Sequence, residues 1–319
     1  SGSNNGTTNV CGPLPTPPTV TATKTASASP LLVGVSGQSY AINVTITNGP
    51  TTAPIAIADT LPTGITLSGA PSVSGATLSG CNGAGSSSLG AACVLSSPLN
   101  NGTYTITVPI TVAAPIGAQS GNNTANLSGG GDPGCTAATG EPCDPSTPDV
   151  PVANPSNVTV TKGNPTIANV SGTQYTATYV INVQNTGGVP GTYTLTDTPG
   201  FSNTGVTLNS WTVTPSNGGV VNPSLPAVAN NTAGQISASS VSIAGGVTHT
   251  YTVVITFTMG TGATLACNGN PNNGAYNAAG ITGSATGNSS GCGSLPNPPK
   301  VTATKTASAS PLLVGVSGQ

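Results

Sequence analysis

Arginine is absent from this chain, and charge of either sign is scarce. Four lysines and six carboxylates among 319 residues make 3% charged, against about 25% in an average soluble protein. No basic patch can form to release counterions from a phosphate backbone, so nucleic acid is excluded as a partner. No apolar run approaches the roughly 20 residues of a membrane helix, so no membrane insertion is expected of this segment. Histidine and tryptophan occur once each, as His249 and Trp211, and aromatics make up 3%. That leaves little for acid–base chemistry or for stacking on sugars. An enzyme or a carbohydrate-binding module is therefore disfavoured, and no cofactor is expected. The seven cysteines include no CxxC pair, so no metal site is expected either.

What is present is glycine (44), proline (29) and an abundance of Ser, Thr and Asn. Little charge with much Pro and Gly can mark disorder. Disordered chains, however, combine high net charge with few β-branched residues. Here the net charge is −2, and Val, Ile and Thr come in alternating runs. Tyr40, Ile42, Val44 and Ile46 share one face; so do Tyr104, Ile106, Val108, Ile110 and Val112, and Tyr251, Val253, Ile255, Phe257 and Met259. A two-residue period broken by Gly/Pro/Asn turns predicts an all-β chain of sandwich type without amphipathic helices.

The chain repeats itself. Residues 20–38, VTATKTASASPLLVGVSGQ, recur letter for letter at 301–319, an offset of 281. Upstream the match continues in diverged form, with Cys11-Gly12 and Pro17-Pro18 matched by Cys292-Gly293 and Pro298-Pro299. A weaker repeat halves the period. Ser36-Gly-Gln-Ser-Tyr40 resembles Ser171-Gly-Thr-Gln-Tyr175, Ala58-Asp-Thr resembles Thr196-Asp-Thr, and Asn123-Thr-Ala resembles Asn277-Ala-Ala. The expected organisation follows: residues 1–18 close a preceding repeat, 19–150 form a first sandwich, 151–155 a linker, 156–293 a second sandwich, and 294–319 a linker and the first strand of the next repeat. Pro-rich connectors of this kind act as semi-rigid spacers.

These motifs carry a resemblance. VTATKT and VTVTKG, Ser-Gly-x-x-Tyr, Asp59-Thr-Leu-Pro-x-Gly-Ile-Thr-Leu67 and a late Asn-x-Ala resemble the conserved-repeat domain of prokaryotic surface proteins, the domain of unknown function numbered eleven. The second half departs from the pattern at Asp197-Thr-Pro-Gly. The resemblance implies tandem immunoglobulin-like modules at the cell surface or outside a prokaryotic cell, and no particular ligand.

Seven cysteines become six per period once Cys11 is equated with Cys292. Proximity favours Cys81–Cys93, Cys135–Cys143 and Cys267–Cys292, with the partner of Cys11 in a preceding repeat. Disulfides imply an oxidising, extracytoplasmic compartment. Four acidic residues, Asp132, Glu141, Asp144 and Asp149, cluster near one connector and are weighed as a calcium site, although their spacing matches no EF-hand.

One constellation carries chemistry. Lys24 is in phase with Val20 and Ala22, and Lys162 with Val158 and Val160. Asp59 follows Ile55 and Ile57; Asp197 follows Tyr193 and Leu195. Asn123 precedes Ala125 and Leu127; Asn277 precedes Ala279 and Ile281. Each half thus directs a Lys, an Asp and an Asn inward. Burial lowers a lysine pKa and raises a carboxyl pKa, which yields a nucleophilic amine beside a proton donor. The set resembles the stalk domains of Gram-positive pilins and collagen adhesins. That resemblance implies isopeptide crosslinks Lys24–Asn123 and Lys162–Asn277, assisted by Asp59 and Asp197. The alternative is a buried Lys–Asp salt bridge with Asn as hydrogen-bond partner. Lys305 repeats Lys24, so its Asp and Asn would come from the next repeat or from another molecule. The expected function is a structural repeat of an extracellular fibre, sheath or stalk, whose partners are copies of itself. The stalk of a large repetitive adhesin is the alternative.

Overall fold

The structure, a computed structural model, describes residues 14–113, 123–147, 150–297, 302–306, 314, 315 and 317. Among them every regular element is a strand. The chain divides into two units, Ser1–Pro155 and Ser156–Gln319. Unit 1 holds β1 (Thr19–Ala26), β2 (Leu31–Leu32), β3 (Gln38–Thr47), β4 (Ile55–Asp59), β5 (Ile65–Leu67), β6 (Ser72–Val73), β7 (Leu78–Ser79), β8 (Val94–Leu95), β9 (Gly102–Val112), β10 (Asn123–Gly129), β11 (Ser146–Thr147) and β12 (Val152–Ala153). Unit 2 holds β13 (Val158–Lys162), β14 (Thr166–Ser171), β15 (Gln174–Asn185), β16 (Gly191–Pro199), β17 (Val206–Ser216), β18 (Gly234–Gln235), β19 (Val241–Ile243), β20 (Thr248–Met259), β21 (Ala275–Gly283) and β22 (Gly287–Gly293).

Each unit is an immunoglobulin-like sandwich of two antiparallel sheets. In unit 1 the order β1-β3-β9-β5, with β6 also on β9, faces β11-β10-β4-β8-β7. In unit 2 the order β13-β15-β20-β17, with β14 on β15, faces β18-β16-β21-β22, with β19 on β16. The alternation read from the sequence decides which face is inside. Ile42, Val44 and Ile46 of β3 and Ile106, Val108 and Ile110 of β9 meet Ile55, Ile57 and Leu127 of the opposite sheet in one core. The core of unit 2 is more aromatic: Tyr175 stacks on Phe257 at 5.8 Å between ring centroids, and Phe201 meets Phe257 edge-on at 5.3 Å.

The connectors differ from expectation. Within 151–155, Val152 and Ala153 form β12, which pairs in parallel with Leu31 and Leu32. Leu31 N–H donates to the Pro151 carbonyl at 2.9 Å, and Val33 N–H to that of Ala153 at 3.0 Å. Proline is tolerated in such a strand because only its carbonyl is needed there. Residues 302–306 are exposed and form no strand, whereas Leu295 is buried in the core of unit 2. The strand bearing the asparagine is not the last in either unit. Beyond it come β11 and β12 in unit 1, and β22 in unit 2.

The cysteines pair as Cys81–Cys93, Cys135–Cys143 and Cys267–Cys292. Cys11 and Asp149 lie outside the described residues. Asp132, Glu141 and Asp144 staple loops. Asp132 accepts from Val20 N–H at 2.7 Å and from Gly134 N–H at 2.8 Å, and Asp144 accepts from Leu127 N–H and Gly140 N–H, both at 3.0 Å. Glu141 accepts from the amide and hydroxyl of Thr136. Their oxygens are committed to protein donors, and the described residues hold no cluster suited to a metal.

Candidate functional site

The same three-residue site recurs in both units. Lys24 sits on β1 opposite Ile42, and Lys162 on β13 opposite Ile181, each on one sheet. The Asp and Asn come from the facing sheet, and their register is the same in both units. Asp59 pairs with Ala125, two residues past Asn123, and Asp197 pairs with Ala279, two residues past Asn277. With a two-residue period, Asp and Asn therefore share the inward face of adjacent strands. All six residues are buried, between 0 and 7% exposed.

Lys24 Nζ lies 2.6 Å from Asp59 Oδ2, and Lys162 Nζ is paired with Asp197 Oδ1. The Asn277 amide donates to Asp197 Oδ2 at 2.9 Å, so that carboxyl group bridges lysine and asparagine. Each ammonium also lies over a tyrosine ring: Lys24 at 5.0 Å from Tyr40, and Lys162 at 4.7 Å from Tyr179. Burial pushes both lysines below the usual amine range and both carboxyls above theirs, and the partner charge only partly opposes this. Burial therefore disfavours the charged form of each of the four groups.

The hydrogen bonding is incomplete where chemistry would occur. Asp59 Oδ1, both side-chain polar atoms of Asn123, and Asn277 Oδ1 are buried without hydrogen-bond partners among the described residues. The Asn123 amide lies close enough to the Tyr40 hydroxyl to temper its burial-raised pKa, yet no hydrogen bond is completed. Orphaned polar atoms in a core are destabilising by about 1–3 kcal/mol each. With the lysine neutral and the carboxyl group protonated, the three side chains would supply the nucleophile, proton donor and amide that acyl transfer requires.

A second polar cluster went unrecognised in the sequence. His249 is buried; its Nδ1 lies 2.9 Å from the Tyr193 hydroxyl, which lies 2.7 Å from that of Tyr251. The Val220 N–H donates to the Tyr251 oxygen at 3.1 Å. The phase of His249 with Tyr251 was the available signal. Burial lowers the His249 pKa. The folded state thus prefers neutral imidazole. Its contribution to stability is full above the ordinary value of about 6.5 and is lost as pH falls through the depressed folded value. Wild-type unit 2 should lose urea resistance between pH 7 and pH 5 relative to a His249→Gln chain, with no such divergence between pH 7 and pH 8. Parallel urea midpoints across that range would refute the assignment.

No family model matches the chain, and no curated protein does. Among solved structures, the chain is similar to the C-terminal domain of the AgI/II polypeptide BspA of Streptococcus agalactiae, with 8% identity and a TM-score of 0.36 over 84% of this chain and 97% of that one. It is similar to the collagen adhesin of S. aureus, with 14% identity and a TM-score of 0.24 over 88% and 93%. It is similar also to the collagen-binding domain of the Erysipelothrix rhusiopathiae surface protein RspB, with 15% identity and a TM-score of 0.22 over 86% and 97%.

Proposed function

We propose that this chain is a non-enzymatic structural repeat of an extracellular or cell-surface fibre or stalk of a prokaryote, with each sandwich locked by an internal Lys–Asn isopeptide bond. One observation carries the reading: a chain with ten charged residues buries two Lys–Asp pairs, each beside an asparagine and each joining two sheets. Replacing a buried pair by apolar residues is often neutral or stabilising. A covalent role explains why the groups are held there.

The step is an amide exchange. Neutral Lys24 Nζ attacks Asn123 Cγ while Asp59 protonates the carbonyl oxygen. The new N–C bond forms, the old C–Nδ2 bond breaks, one amine proton leaves with Nδ2, and ammonia departs. Asp59 recovers its proton. Lys162, Asn277 and Asp197 do the same in unit 2. The three disulfides support an oxidising compartment, and a surface nearly free of charge suits permanent packing against other copies.

Intact mass tests the reading. The folded wild-type chain should weigh two ammonia molecules less than its sequence, after allowance for disulfide hydrogens, and Asn123→Ala should restore one. A wild-type mass with no such deficit would reject it. Imaging tests the fibre role: laterally packed filaments support it, and isolated tethers ending in a distinct head favour the adhesin stalk.

A further inference from the structure

We propose that segment 301–319 can act as a β1 strand for a first-type sandwich, so that a second copy of this chain can receive it in the slot now filled by residues 20–38. The two segments are identical at every position, so each contact of one can be remade by the other. In unit 1 the segment docks through an edge strand, an apolar anchor and a closed turn. Among the described residues β1 lies at the edge of its sheet, paired in it with β3. Leu31 is an apolar anchor, fully buried in the core. The turn that follows is closed from within: the Gln38 amide donates to the carbonyls of Leu32 at 2.7 Å and Val35 at 3.0 Å and accepts from Leu32 N–H at 2.6 Å. Gln319 repeats that glutamine, so the copy carries its own turn-closing group.

The other contacts of β1 come from elements that the slot retains. Val20 N–H donates to Asp132, Ala22 N–H donates to the Pro142 carbonyl at 3.3 Å, and Lys24 pairs with Asp59. An incoming strand would deliver Val301, Ala303 and Lys305 to the same partners. Residues 302–306, Lys305 included, are exposed and form no strand. Beside the C-terminal half of β1 runs a groove lined by Lys24, Ala26, Ser29, Thr147 and Val150, where displacement can begin. Two identical strands differ in occupancy only through local concentration, which favours the tethered one. A crosslink at Lys24 then makes that choice permanent. Exchange therefore belongs to the chain before crosslinking; delivered in trans, Lys305 would bond to Asn123 of the receiving copy with loss of one ammonia.

The covalent step rests on the crosslinking reading above, whereas the docking does not. The test adds a synthetic peptide of residues 301–319 to the full Lys24→Ala chain, whose own strand has lost its buried amine. Native mass spectrometry should show one peptide per chain. Denaturing mass should then show an adduct one ammonia lighter than the sum, mapped to Asn123 and absent with a Lys305→Ala peptide. The Asn123→Ala chain, which keeps its Lys24–Asp59 pair, should bind the peptide without bonding to it and decides the matter if Lys24→Ala fails to fold. Non-covalent binding to both chains with no adduct keeps the exchange and rejects the crosslink at this site. Absence of binding by either folded chain overturns the exchange.

Discussion

Asp197→Ala is expected to lower the thermal midpoint of unit 2 by at least about 15 °C and to restore one ammonia to the mass of the chain. Asp197 is fully buried, with Lys162 on one carboxylate oxygen and the Asn277 amide on the other. Truncating it leaves a lysine in the core without a counter-charge, a loss of about 3–5 kcal/mol in comparable pairs. The reaction also loses its proton donor, and a covalent closure of roughly 100 residues stabilises by about 4.7 kcal/mol on the chain-entropy account. A unit of this size moves about 2–4 °C per kcal/mol. Asp197→Asn separates the contributions. It fills the same volume and can still accept one hydrogen bond, but it cannot supply the acid proton, so the ammonia should likewise be retained while the midpoint falls less. Equal ammonia deficits and equal midpoints for wild type and Asp197→Ala would remove Asp197 from the account of unit 2, both as ion-pair partner and as proton donor. The other unit supplies an internal standard, because its ammonia loss should persist in the Asp197 variants.

The inward Lys, Asp and Asn were legible because a strand has a period of two. A polar residue in phase with Val158 and Val160, or with Ala279 and Ile281, is carried to the core whatever its chemistry. The sheets themselves were readable for the same reason wherever alternation ran long, as in β3, β9 and β20. What escaped were elements fixed by long-range pairing. The strand Gly-Asn-Ser-Ser-Gly-Cys-Gly of β22 has no apolar alternation at all. It exists because β21 offers an edge along its whole length and because Lys162 N–H donates to Ser289 Oγ at 2.9 Å. Its glycines are required by proximity: a Cβ on Gly291 would collide with the Gly163 carbonyl. Similarly, β12 hides in a Pro-rich stretch that reads as a spacer until Leu31 and Leu32 supply its partner. Nor does the sequence show the backbone amides that Asp132, Glu141 and Asp144 accept from. The His249–Tyr193–Tyr251 chain joins β16 to β20 across the sandwich, a meeting that no local pattern encodes.

Pulling on the ends of the wild-type chain should extend it without unravelling either sandwich between its lysine and its asparagine, whereas Lys162→Ala should release an added length on the order of 300 Å from unit 2. Lys162 lies on β13 of one sheet and Asn277 on β21 of the other. A bond between them routes tension from the entering strand to the strand near the exit and leaves the chain between them unloaded. Without that bond, the load must pass through β13–β15 pairing, which is hydrogen-bonded and can be peeled. The disulfide Cys267–Cys292 still shortens the path at the far end, so the freed stretch runs from residue 162 to about residue 267, on the order of 100 residues at about 3.3–3.6 Å each. Single-molecule force spectroscopy on the oxidised chain reads this directly. The expected signature is a length step present in Lys162→Ala and absent from wild type, with a step of similar size appearing separately in Lys24→Ala. Steps of full sandwich length in the wild-type chain would show that the buried lysines carry no covalent load. In that event the Lys–Asp pairs are salt bridges alone, and resistance to pulling would have to come from strand pairing and the disulfides.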